Sequence, residues 1–168
     1  MRRLWSFNDI GKYVGPDRRS GLRMHFESGI DPEVIRAAKQ YAGWLRENYI
    51  FPVRVNVYFK NKDRIINSAG ERVCGTFLGP FSFEEEPYIR LAAGDYPYLC
   101  AKYGKDDSLA SYLLALTHEL SHYFQWIRFH ENWNDDEWYE KHAAGSERQA
   151  CYYAREIVRD YADIYEHP

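Results

Sequence analysis

Residues 108–128 read SLASYLLALTHELSHYFQWIR, and this stretch decides the fold that the sequence predicts. Its large apolar side chains recur three or four residues apart, which is the spacing of one face of an α-helix. These side chains are Leu109, Leu113, Leu116, Leu120, Tyr123 or Phe124, and Ile127. We therefore expect a long amphipathic helix that packs this stripe into a core.

The same helix carries the pattern HELSH on the side away from the stripe. His118 and His122 are four residues apart, so one helical turn stacks their imidazoles on a common face. Two neutral imidazoles in this arrangement bind Zn²⁺, and the glutamate between them, Glu119, activates water. The sequence therefore predicts a zinc hydrolase site. The competing interpretation is two surface histidines that flank a salt-bridged glutamate.

Composition limits the classes of protein to consider. The chain has 168 residues, which predicts one domain over residues 1–168. A net charge of −3 argues against a nucleic-acid partner. There is no signal peptide or membrane-spanning run, so we expect a cytoplasmic protein without a membrane partner. The unpaired spacing of Cys74, Cys100 and Cys151 predicts reduced thiols that do not bind zinc. No feature predicts an oligomeric state.

The remaining patterns predict an α+β fold, with a small twisted sheet of three to four strands packed on helices. Residues 1–30 are expected to form an arm or loops, anchored by Leu4, Trp5 and Phe7. Asp31 and Pro32 are typical of a helix start, and that helix should end near Tyr49. Period-two alternation predicts strands at residues 53–60, 73–77 and 87–92, with a polar hairpin loop at residues 61–71. The cap of the motif helix is expected at Asp107 or Ser108.

Two interpretations remain for the last quarter of the chain. A short helix is expected to start at Asp135 or Asp136 and to end at Gly145. Ser146 and Gln149 have the spacing of a capping box, which predicts a new helix there. A continuous helix through Gly145 is the alternative.

A catalytic zinc site takes three protein ligands, so the pattern HELSH needs one more. A third histidine in HExxHxxGxxH is excluded, because Gln125 and Arg128 stand at the positions tested. The apolar face of the last helix, extended back by one turn, reaches Glu147, where an unpaired carboxylate would be costly. Glu147 is therefore the predicted third ligand, unless it only favours the helix dipole in a first turn. The alternatives are Glu140, His130 and His142.

HELSH followed by Glu147 in ERQACYYA resembles the zincin metallopeptidases of the gluzincin type, and the second motif also resembles the ImmA/IrrE-like peptidases. The resemblance covers residues 117–154. It implies a zincin-like fold with HExxH on the central helix, beside a small twisted sheet. It also implies that an edge strand aligns an extended peptide above zinc, and residues 87–92 are where that strand would fall. Several gluzincins have Asp or Asn four residues after the ligand glutamate, to orient a zinc-bound histidine. Here Cys151 stands at that position, so we expect that partner to come from elsewhere.

The resulting hypothesis is a zinc metallopeptidase that holds one Zn²⁺ per chain through His118, His122 and Glu147. Glu119 would act as general base and pass the proton to the leaving amine. Tyr152, Tyr153, His142 and Tyr88 are the candidate donors to the oxyanion.

The acidic run at residues 84–86 would favour basic peptides, unless it is only a solvated turn. Two other functions compete with hydrolysis. One is a zincin-like module that binds metal or a partner without turnover, and the other is a metal-free groove that binds peptides.

Overall fold

The computed structural model describes Trp5 and residues 19–168. Within this part of the chain the fold is α+β, with four α-helices and a small mixed sheet, as the sequence predicts in its coarse class. The strands are β1 (Leu22–Phe26), β2 (Val55–Lys60), β3 (Ile65–Ile66), β4 (Arg72–Val73), β5 (Gly75–Leu78) and β6 (Tyr88–Ala92). The helices are α1 (Pro32–Asn48), α2 (Tyr96–Tyr103), α3 (Lys105–Arg128) and α4 (Asp136–Ala162), with a 3₁₀ turn at His130–Asn132.

The main sheet has the strand order β1-β2-β6-β5. β1, β2 and β6 are parallel, and β5 pairs antiparallel with β6. Alternation turns one face toward the helices, where Val57 and Ile89 are fully buried. The opposite face carries Tyr58, which is exposed. β3 and β4 form a separate two-stranded hairpin.

The apolar stripe of α3 forms the centre of the core, as predicted. All of its members are buried, and they pack with α1 and the inner face of the sheet. Trp5, predicted as an anchor, is buried against this helix and donates its indole N–H to the hydroxyl of Ser121 at 3.2 Å. The other predicted anchors, Leu4 and Phe7, lie outside the described residues.

The strand at Tyr88–Ala92 is confirmed, but its predicted position at the sheet edge is wrong. β6 lies between β2 and β5, and the edge strand is β5. The chain returns antiparallel through β5 before β6 forms, so β5 occupies the outer position. The predicted arm at residues 1–30 is also wrong in part, because residues 22–26 form β1. The sequence did not indicate β1 because the strand has only a short alternation of apolar and polar residues, and this follows a stretch rich in arginine and glycine.

The ends of α1 are as predicted, with the Asp31 side chain accepting from the backbone N–H of Glu33. The start of α3 is different. α3 begins at Lys105, after the short helix α2, and no side chain caps it. Gly104 has φ of 87°, which glycine adopts without strain, and this lets the chain turn directly from one helix into the next. Asp107 and Ser108 therefore lie inside the helix.

α4 is continuous through Gly145, so the predicted break there is wrong and the alternative is confirmed. Its start is as predicted, since the Asp135 side chain accepts from the N–H of Trp138 at 3.0 Å. A glycine inside a helix costs about 1 kcal/mol relative to alanine. Packing against α3 offsets this cost, because Gln125 of α3 donates to the carbonyl of Ser146 and to the Gln149 side chain.

No helix in the described part of the chain is long and apolar enough to cross a membrane.

Candidate metal centre

His118 and His122 lie in α3, and Glu147 lies in the facing turn of α4. The two helices run antiparallel. His118 of α3 contacts Cys151 of α4, whereas Gln125, further along α3, contacts Gln149, which is earlier in α4. The Nε2 atoms of the two histidines are 3.1 Å apart. The Glu147 carboxylate reaches both rings, with Oε2 at 3.3 Å from Nε2 of His118 and Oε1 at 3.2 Å from Nε2 of His122. The structure thus brings together the three residues that the sequence singled out.

The spacing of these atoms fits a tetrahedral metal ion. Nitrogen and oxygen ligands that bind zinc at their usual bond lengths lie about 3.3–3.5 Å apart in a tetrahedron. The Nε2–Nε2 separation and the two nitrogen–oxygen separations are within a few tenths of an ångström of that edge, with a different Glu147 oxygen facing each ring. Taken as one ligand atom per residue, the three atoms lie within 4.8 Å of one another. His118, His122 and Glu147 are also the group of ligand-type side chains in the described residues that could hold a metal ion.

Gln125 sets the tautomer of His122. Its amide nitrogen donates to Ser146 and Gln149, so its Oε1 is left as the acceptor for Nδ1 of His122, at 2.8 Å. A neutral His122 that donates from Nδ1 presents a lone pair at Nε2. This lone pair faces a carboxylate and a second imidazole, so the arrangement needs a cation or a proton between them.

The electrostatics of the cluster agree with that requirement. The two imidazoles hold the pKa of Glu147 well below its usual range. Burial alone would lower the pKa of His122, but its contacts with Glu147 and Glu119 outweigh burial and raise that pKa. The same negative groups that raise the pKa of His122 also favour a cation at this position.

The partners behind the ligands are partly those expected. The residue that orients His122 is Gln125 and not Cys151, in line with the expectation that this partner comes from elsewhere in the chain. The Cys151 thiol nevertheless lies beside His118, with Sγ 3.8 Å from Nδ1. Gln125 was not predicted as an orienting residue, although it lies one turn after His122 on the same helix.

Glu119 is more buried than the sequence predicted, with 8% of its surface exposed. Its carboxylate lies under β5, where a side chain at Gly75 would come within 2.8 Å of its Oε1. Gly75 is therefore the residue that lets strand and carboxylate approach. Burial raises the pKa of Glu119, and the nearby histidines lower it in part. A carboxylate with a raised pKa is a stronger base.

A cleft of about 710 Å³ opens over these residues. Its walls are β5, β6, the β3–β4 hairpin, α3 and α4, and it contains all three candidate ligands and Glu119. Among the predicted oxyanion donors, Tyr88 lines the cleft, whereas Tyr152, Tyr153 and His142 do not. His142 instead stacks on Trp138 and bonds its carbonyl.

The other candidate ligands lie apart from the cluster. Glu140 and His142 are on the first turns of α4, and His130 stacks on Phe83. Tyr139 lines the cleft although the sequence did not suggest it. A helix break at Gly145 would put Tyr139 on a different helix from Glu147, so the predicted break gives no reason to place Tyr139 near the site.

Comparison of the chain with protein-family models, with curated proteins and with solved structures found no match.

Proposed function

We propose that this protein is a zinc-dependent peptidase with a zincin-like arrangement of its site. The observation that carries the proposal is the convergence of two imidazole nitrogens, 3.1 Å apart, on one carboxylate whose two oxygens lie 3.2 and 3.3 Å from them. A cation or a proton between these atoms removes the repulsion between their lone pairs. Two imidazoles and one carboxylate are one of the ligand sets of catalytic zinc, with the fourth position left for water or substrate.

The chemistry of hydrolysis follows from the residues around that group. Zinc bound there supplies a Lewis acid for the scissile carbonyl and a water of lowered pKa. The Glu119 carboxylate takes the proton of the attacking water and gives it to the leaving amine nitrogen. Its burial at the base of the cleft keeps bulk water from competing for that proton. Tyr88 and Tyr139 are the phenols that line the cleft, and they are the candidate donors to the oxyanion.

The substrate in this proposal is an extended peptide that pairs with β5. The carbonyl of Cys74 accepts from the N–H of Ala92 at 2.8 Å, which makes these two residues a hydrogen-bonded pair. Hydrogen-bonded and non-hydrogen-bonded pairs alternate along an antiparallel ladder. Gly75 and Phe77 are therefore in non-hydrogen-bonded pairs, and their backbone N–H and C=O groups point away from β6. No described strand pairs with that edge. Main-chain bonds to Gly75 and Phe77 would hold a peptide beside Glu119.

The test is the metal content of the purified protein and of three variants. We expect about one zinc per chain in the native protein, as for a three-ligand site. His118→Ala, His122→Ala and Glu147→Ala should each lose most of the zinc, because two ligands do not hold the ion. His142→Ala is the matched control and should keep it. Zinc that stays in Glu147→Ala, or is absent from reconstituted native protein, would reject the site.

Zinc binding should weaken as the pH falls through the raised pKa of His122. Below that pKa a proton occupies Nε2, and zinc must displace it. Binding should therefore release more protons at acidic pH than at alkaline pH. Calorimetric titration with zinc, in buffers of different ionisation enthalpy, measures this release. The same proton release at every pH would contradict the role given to His122.

A further inference from the structure

The charged side chains of the cleft, other than Glu119 and the three candidate ligands, are Glu71, Arg90 and Arg155. The acidic run at residues 84–86 does not line the cleft, and Glu86 is held outside it by Asn56 and Arg54. The structure therefore removes the ground for a preference for basic peptides. Glu71 is satisfied within its own hairpin, since its carboxylate accepts from the Asn67 amide at 2.9 Å.

Arg90 has no carboxylate partner among the described residues. It projects from β6 on the face that it shares with Thr76, its partner on β5. One guanidinium nitrogen donates to the carbonyl of Ile66 at 3.2 Å. The Nε–H group is buried and makes no hydrogen bond. A half-buried guanidinium that lines a cleft and has no carboxylate partner attracts an anion through its charge.

Arg155 faces the cleft from the opposite wall, on α4. It is exposed and forms no ion pair with the described residues, whereas Arg159, one turn further along, is paired with Glu156 at 2.6 Å. Arg155 follows Glu147 by eight residues, which places it about 12 Å away along the helix axis. An extended peptide covers that distance in about three to four residues.

We propose that Arg155 binds a carboxylate of the substrate and that Arg90 adds positive charge from the sheet side, so that the cleft selects acidic peptides. This inference rests on the proposed function, because it assumes that a peptide lies along β5. The carboxylate is that of an Asp or Glu side chain or that of the peptide C-terminus, within about four residues of the scissile bond. Arginine recognises either group through paired N–H donors.

The test measures peptide binding without turnover, in the Glu119→Gln variant loaded with zinc. The probes are fluorescein-labelled heptapeptides of alanine and phenylalanine in which Asp, Asn or Lys is placed at each position in turn. A second set has either a free or an amidated C-terminus. We expect the best Asp peptide, or the free C-terminus, to bind about tenfold tighter than its uncharged counterpart. The two sets distinguish a side-chain carboxylate from a terminal one.

The arginines are then replaced in the same background. Arg155→Gln should reduce the preference to near parity, and Arg155→Glu should shift it toward the Lys peptides. Arg90→Gln should also reduce it, and Arg159→Gln is the matched control that should leave it unchanged. Arg155 is exposed, so its replacement tests the proposal even if the Arg90 variant fails to fold.

Equal affinity for all peptides, no measurable binding, or a preference that persists in Arg155→Gln would overturn the proposal. Failure of the proposed hydrolysis has a different result. In that case the native protein with zinc cleaves none of the peptides, while the preference for acidic ones and its dependence on Arg155 remain.

Discussion

Glu119→Gln is expected to lower the rate of peptide hydrolysis by about 10²–10⁴-fold while the zinc stays bound. Glutamine has nearly the same shape as glutamate but cannot accept a proton at neutral pH. Glu119 is buried beneath Gly75, so the isosteric change should leave the close approach of β5 and α3 intact. Cleavage of a peptide library, followed by mass spectrometry, gives the rate, and elemental analysis gives the zinc content.

Glu140→Gln is the matched control for this experiment. Glu140 is an exposed carboxylate on α4 that does not line the cleft, so its replacement should change neither rate nor zinc content. A Glu119→Gln protein that cleaves peptides at the native rate would remove Glu119 from the mechanism. A native protein that binds zinc but cleaves nothing would favour a metal-binding module without turnover.

Trp126→Ala is expected to lower the free energy of unfolding by about 3–5 kcal/mol. Trp126 is fully buried in α3 and donates its indole N–H to the carbonyl of Pro80 at 3.0 Å. Its ring packs edge-on against Phe83 and lies directly on Gly79, where a side chain would not fit. Truncation would therefore leave both a large cavity and a buried carbonyl without its donor.

Denaturant unfolding followed by circular dichroism measures this change. Phe81→Ala is the control, because Phe81 is 80% exposed and its replacement should cost little. A Trp126→Ala protein with native stability would show that the segment of Gly79 and Pro80 does not depend on this contact.

The helix with HELSH could be predicted because its apolar stripe and its two histidines follow the helical period over many residues. Glu147 could be predicted from its place one turn before the apolar face of its helix, although its side chain is exposed and the expected cost of burial does not apply. The edge strand could not be predicted, because β5 is short and its own sequence does not determine on which side of β6 it pairs. Arg90 and Arg155 were not predicted either, because they line one cleft only when a strand and a helix that are distant in sequence form its walls.

The continuity of α4 misled sequence reasoning for a related cause. Gly145 is typical of a helix end and Ser146 of a helix start, and both residues have these local preferences. They are outweighed by the hydrogen bonds that Gln125 makes to Ser146 and Gln149, which no pattern within the last helix reveals. Tertiary contacts of this size are enough to override about 1 kcal/mol of local preference.

Gly145 also divides α4 into two parts of unequal local stability. The buried side chains of the helix all follow it: Ala150, Tyr153, Ala154, Ile157 and Tyr161. The first turns, including Tyr139, have none, so their backbone amides should exchange with deuterated solvent faster than those after Ala150. One wall of the cleft can thus unwind by fraying of a helix end, while Glu147 stays with the part that Gln125 holds. Under the proposed peptidase function, a bulky substrate segment would then enter by local melting of these turns rather than by movement of the whole helix.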